Sequence, residues 1–164
     1  SDPLNFITDT SKLKADIRID FPLRGHASGF AISDTADFTL EENDDIESAV
    51  FRINIDNGFP ASAYTQVYFT DSNFVVLDSM LLDPTTRLVE SAQIDANGKV
   101  TQSTHKMSDE PFSKTRLQHL YSTKKLIIYS IIDTKDAPTR QVEIYDYYKL
   151  DVKIGVRAQL NMKF

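Results

Sequence analysis

No cysteine and no tryptophan occur among the 164 residues, and glycine and proline are scarce at five and six. The missing thiols exclude a disulfide framework, thiolate catalysis and cysteine-ligated zinc. A chain of this length buries about 70% of its unfolded surface and needs no such staple. Basic residues are also in deficit: 18 Lys and Arg against 24 Asp and Glu give a formal charge of −6. That balance argues against duplex nucleic acid, whose binders need a basic face, and against anionic membrane surfaces. No apolar run reaches the roughly 18 residues of a membrane-spanning helix. No secretory leader is recognisable either. The opening Ser1, Asp2, Pro3 in place of Met fits a processed chain or a fragment of a longer one.

Alternation is what the chain does contain. From Gln141 to Phe164 the even positions Val142, Ile144, Tyr148, Leu150, Val152, Ile154, Val156, Ala158, Leu160, Met162 and Phe164 are apolar, with Asp146 the exception. Lys149, Asp151, Lys153, Arg157 and Gln159 lie between them, as in a strand with one dry and one wet face. So long a strand predicts a bend or bulge near Asp146 or at Gly155. A second alternation, Leu13 to Leu23, predicts an early strand, and Phe30 to Leu40 a weaker one. Hairpins are expected about Asp71, Ser72, Asn73 and about Asp95, Ala96, Asn97, Gly98, whose residues suit turns. The apolar run Lys125 to Asp133 reads as a strand covered on both faces.

One helix is expected over residues 109–122, with Ser108 as its cap and Pro111 in its first turn. Eight or nine strands with this single helix predict a mainly β fold, an antiparallel β-sandwich. Residues 1–11 are expected to be a loosely ordered entry segment, and residues 12–164 one sandwich domain.

Chemical motifs are sparse. Gly25, His26, Ala27, Ser28, Gly29 places its serine one position late for a nucleophile elbow and reads as a turn. His26, His105 and His119 have no ligand spacing, and the acidic run Glu41, Glu42, Asn43, Asp44, Asp45 lacks that of a calcium loop. No metal or other cofactor and no catalytic residue is therefore expected. Tyr145 and Tyr147 fall on the polar parity of the last strand, and Phe59 with Pro60 on an expected loop tip. These four form a candidate interaction surface for a protein or glycan partner, against the alternative that they pack under a loop or the helix. The absence of tryptophan weakens the glycan case. Lys153, Gly155, Ala158 and Leu160 ahead of a terminal Phe164 also fit the last strand of an outer-membrane β-barrel.

Three stretches, Asp20 to Gly25 (DFPLRG), Asn57 to Ser79 and Tyr148 to Leu160, resemble the C-terminal β domain of uncharacterised cell-envelope proteins of Bacteroidota. The resemblance implies an exported domain, periplasmic or at the cell surface and lipid-anchored or secreted, and it carries no functional motif. The expectation is a non-enzymatic binding or scaffolding module. The alternatives are a small hydrolase with acidic catalytic residues, an apolar-ligand carrier, or an outer-membrane barrel. A cleft with converging carboxylates would mark the enzyme, and an elongated dry cavity between the sheets the carrier. A plain binding module would have neither.

Overall fold

The computed structural model describes residues 12–16 and 24–160. The chain runs β1 (Lys12–Asp16), β2 (Arg24–Gly25), β3 (Phe30–Asp37), β4 (Ile46–Asn57), β5 (Ala61–Thr70), β6 (Val76–Ser79), β7 (Gln93–Ile94) and β8 (Val100–Gln102). It continues through β9 (Thr104–Ser113), α1 (Lys114–Ser122), β10 (Lys125–Thr134), β11 (Val142–Glu143) and β12 (Leu150–Leu160). Two four-stranded sheets, ordered β1-β12-β4-β9 and β3-β10-β5-β6, carry the fold, and β11-β2 and β7-β8 form two small ribbons. Every pairing is antiparallel.

Among the eight strands of the large sheets, taken in chain order, one sheet holds the first, eighth, third and sixth and the other the second, seventh, fourth and fifth. The chain thus crosses between sheets repeatedly, and only β5 and β6 are neighbours in both sequence and space. This is the strand order of a double Greek-key jelly roll, a class of β-sandwich. Two separate sheets with an apolar interior also set the described strands apart from a membrane barrel, which needs one closed sheet.

Alternation decides which residues fill the space between the sheets. In β12 the even residues Leu150, Val152, Ile154 and Val156 pack against the core, whereas Asp151, Lys153 and Arg157 are exposed. Their partners on β4 are Asn57, Ile55, Ile53 and Phe51. Phe69 of β5, Phe112 of β9 and Leu117 and Leu120 of α1 complete the cluster.

Several expectations need correction. The helix begins at Lys114, because residues 109–113 belong to β9. Pro111 sits opposite Val50 on the outermost strand of its sheet, where its missing N–H breaks no ladder, and Asp109 pairs across the ladder with Arg52. The helix cap is Ser113, whose hydroxyl accepts the Arg116 N–H. Residues 141–160 form two strands separated by a turn at Asp146–Tyr147, so the interruption falls at the first of the two positions expected; β12 runs through Gly155 without a shift and changes register only between Gln159 and Leu160. The β10 run is not covered on both faces: Ile128 and Tyr129 are each 38% exposed. Its outward residues Ile127 and Ile131 lie beside Tyr68 and Tyr64 of β5 in the same sheet, and this lateral contact accounts for their apolar character. The entry segment 1–11, the continuation of the first strand through residues 17–23 and residues 161–164 lie outside the described residues.

Candidate functional site: an apolar cavity at one end of the sandwich

The inward residues of β5 shrink along the strand, from Phe69 and Val67 to Ala63 and Ala61. At the end where they are small, the sheets border a partly open cavity of about 410 Å³. Ala61, Ser62 and Ala63 form one wall, with Phe30, Ile132 and Thr134 of the neighbouring strands. Asn57 and Leu150 close the opposite sheet's side, and Val142 and Ile144 with Gly25 and Ala27 supply the end. The described wall contains no Asp, Glu, Lys or Arg.

The connection from β4 to β5 forms part of this wall because it passes from one sheet to the other. Asn57, buried, accepts the Phe59 N–H through Oδ1 at 2.8 Å and donates to the Ala61 and Glu90 carbonyls. Backbone bonds from Gly58 to Lys149, from Ala92 to Phe59 and from Lys135 to Pro60 hold the connection on three sides. Pro60 is consequently buried and Phe59 half-buried, lining the cavity. The pair does not form an exposed tip, because the link is an inter-sheet arch.

Tyr145 and Tyr147 lie in the turn between β11 and β12, with ring centroids 5.2 Å apart and planes 26° apart. Both contact Tyr148, at 5.4 and 5.0 Å, and Tyr148 meets Phe59 edge-on at 6.0 Å. Tyr148 thereby joins three of the four expected surface residues into one aromatic cluster, which shares Phe59 with the cavity wall. Tyr147 is 56% exposed. The Tyr145 hydroxyl donates to Glu143 Oε2 at 2.6 Å, and Lys99 Nζ lies 5.3 Å from the ring centroid. That hydrogen bond, followed by burial and the Glu143 charge, pushes the Tyr145 phenol up to about 12.

Elsewhere, His105 pairs with Asp56 and His119 with Asp78, while His26 stands at the cavity. Among the described residues no three His, Asp or Glu side chains converge on a position that could hold a metal. The residues that sequence reading missed are the small ones, Ala61, Ala63, Ala27 and Gly25. Their signal, a strand whose dry face tapers from phenylalanine to alanine, is present in β5.

No protein-family model matches the chain, and no curated protein matches it. Among solved structures it is similar to the infectious bursal disease virus VP2 subviral particle, with a TM-score of 0.48 and 8% identity over 89% of this chain. It is similar at the same TM-score, with 9% identity, to infectious bursal disease virus Gx strain. The chain spans 31% and 30% of the lengths of those solved chains. Likeness at this level assigns neither family nor partner.

Proposed function

We propose that this domain is the non-enzymatic carrier among the alternatives that the sequence leaves open, its ligand an apolar small molecule held in the end cavity. The observation that carries the reading is a space of about 410 Å³ walled by apolar side chains and lacking any carboxylate among its described residues. That volume falls within the usual range for small-molecule sites, and a wall of this composition suits a carrier better than a hydrolase. The cell envelope or exterior is the setting proposed with it, on the sequence resemblance alone.

The stacked Tyr145 and Tyr147 favour a second contact beside the first. An exposed aromatic pair at the rim is suited to a protein or glycan surface. Phe59, which belongs to the wall, links the two contacts.

A fluorescent apolar dye such as N-phenyl-1-naphthylamine tests the cavity. The wild-type domain is expected to bind it saturably, and Ala63→Phe, whose ring takes up roughly a third of the space and leaves too little for the dye, to abolish binding while the domain stays folded by circular dichroism. Undiminished binding by that variant would place the dye elsewhere and refute the reading.

A further inference from the structure

The polar side chains of the described wall other than His26 are already engaged by the protein itself. Asn57 uses both ends of its amide on backbone groups, as described above. Thr134 Oγ1 accepts the Ala27 N–H at 3.0 Å and donates to the Ala27 carbonyl at 3.2 Å. Ser62 Oγ reaches the Asp133 carbonyl at 3.4 Å, and the backbones of Ala63 and Val89 bond to each other. A ligand polar atom placed against those side chains would find them occupied and forfeit roughly ten- to a hundred-fold in affinity. The exposed members of the described wall are His26 and Phe30, which puts His26 on the solvent side of the cavity. His26 makes no hydrogen bond or ion pair among the described residues, unlike the other polar side chains of that wall.

The geometry points to a single-chain amphiphile as the ligand. Its hydrocarbon chain fills the cavity without a polar atom, and its head accepts a hydrogen bond from His26 at the mouth. A long-chain fatty acid is the simplest member of this class. The assignment rests on the cavity reading above and narrows it. A dry cavity of 150 Å³ holds benzene, so about 410 Å³ accommodates about sixteen carbons.

Displacement of the same dye by saturated fatty acids of graded length tests the assignment. Affinity is expected to rise by about four-fold per methylene and to level off near sixteen carbons, when the space is full. A hydroxyl in mid-chain is expected to cost at least ten-fold. His26→Ala should weaken the fatty acid by about five- to ten-fold and leave the alkane of equal length unchanged. Affinity independent of chain length, or a harmless mid-chain hydroxyl, would overturn the hydrocarbon-only assignment. An unchanged fatty-acid affinity in His26→Ala would overturn the placement of the head. If the dye binds and Ala63→Phe abolishes it while no fatty acid displaces it, the cavity reading stands and this inference fails. If the dye never binds, both fail.

Discussion

The two ends of the sandwich are built from the same strands yet are packed in opposite ways. At one end Phe38, Phe69, Phe112 and Phe51 form a chain of rings with successive centroids 6.2, 6.0 and 4.7 Å apart. Helix α1 closes that end with Leu117 and Leu120, and the Arg116 guanidinium lies 3.7 Å from the Phe112 ring centroid. At the other end the same β5 presents Ala63 and Ala61, and the space they leave is the cavity. Backbone pairing continues through both regions: Phe69 faces Leu126 on β10, and Ala63 faces Ile132. Side-chain volume therefore distinguishes an end that holds the sheets together from one that can receive something.

The most damaging way to break this contrast is to give the filled end the other end's chemistry. Phe112→Ala removes a fully buried ring from the centre of the chain and is expected to cost about 3–5 kcal/mol, read from the urea midpoint. A loss near 1 kcal/mol would show that the filled end does not anchor the fold.

Next in size is the latch that binds α1 to β6. Arg116 and Asp78 are only 13% and 11% exposed, with Nε 3.1 Å from Oδ2, and Arg116 Nη1 also donates to the Pro111 carbonyl at 2.6 Å. Arg116→Ala leaves a nearly buried carboxylate unpaired and is expected to cost about 3 kcal/mol. Burial alone would raise the Asp78 carboxyl, but hydrogen bonds from Arg116 and the Ser79 N–H, together with the Arg116 charge, outweigh it and hold the group below its usual value. A depressed carboxyl adds stability that is complete above the unfolded value of about 4 and disappears as the pH falls through the folded one. Asp78→Asn should therefore reduce stability at neutral pH and flatten its decline below pH of about 4. A decline as steep as that of the wild type would assign acid sensitivity to other carboxylates.

How much of this contrast could be read from sequence depends on the distance over which each signal acts. The parity of β12 is legible because alternation is local, and the β5–β6 and β7–β8 turns because the Asp71 and Asp95 carboxylates accept backbone N–H bonds from residues two and four positions on. The start of α1 is not. Ser108, Asp109, Glu110 and Pro111 have the composition of a helix N-terminus, and only pairing with the distant β4 keeps them extended. The burial of Pro60 is illegible for the same reason, since an exposed loop tip and an inter-sheet arch share one local sequence. The joining of Phe59 to the tyrosines through Tyr148, and the cavity itself, depend on which strands face one another. No local pattern reports that.

A smaller effect sharpens the contrast from the open end. Gly98 has φ of +85°, and a Cβ there would lie against the Gln141 carbonyl oxygen and 2.9 Å from Val142 Cα. Val142 is both fully buried and part of the cavity wall. Gly98→Ala is expected to cost about 1–3 kcal/mol, from an unfavourable φ and from displacement of β11. Because the displaced strand is a wall, dye affinity should fall in the same variant, whereas Phe112→Ala should weaken binding only as far as it unfolds the domain. Equal binding defects per unit of lost stability would erase the distinction between the two ends.

Tyr147 offers the smallest effect on the fold and the cleanest reading of the rim. Its ring is 56% exposed and stacks on Tyr145, which the Glu143 hydrogen bond already fixes, so Tyr147→Ala should change stability by less than about 0.5 kcal/mol. Tyr148→Ala is the control. That ring is buried, bonds the Val100 N–H through its hydroxyl at 3.0 Å and touches Phe59, so its loss should both destabilise the domain and loosen the cavity wall. If Tyr147 belongs to a partner surface, Tyr147→Ala should weaken that partner by about 1–3 kcal/mol while leaving dye affinity unchanged. A matching loss of stability in Tyr147→Ala would instead make the tyrosine pair a cover for the open end, supporting the wall from outside.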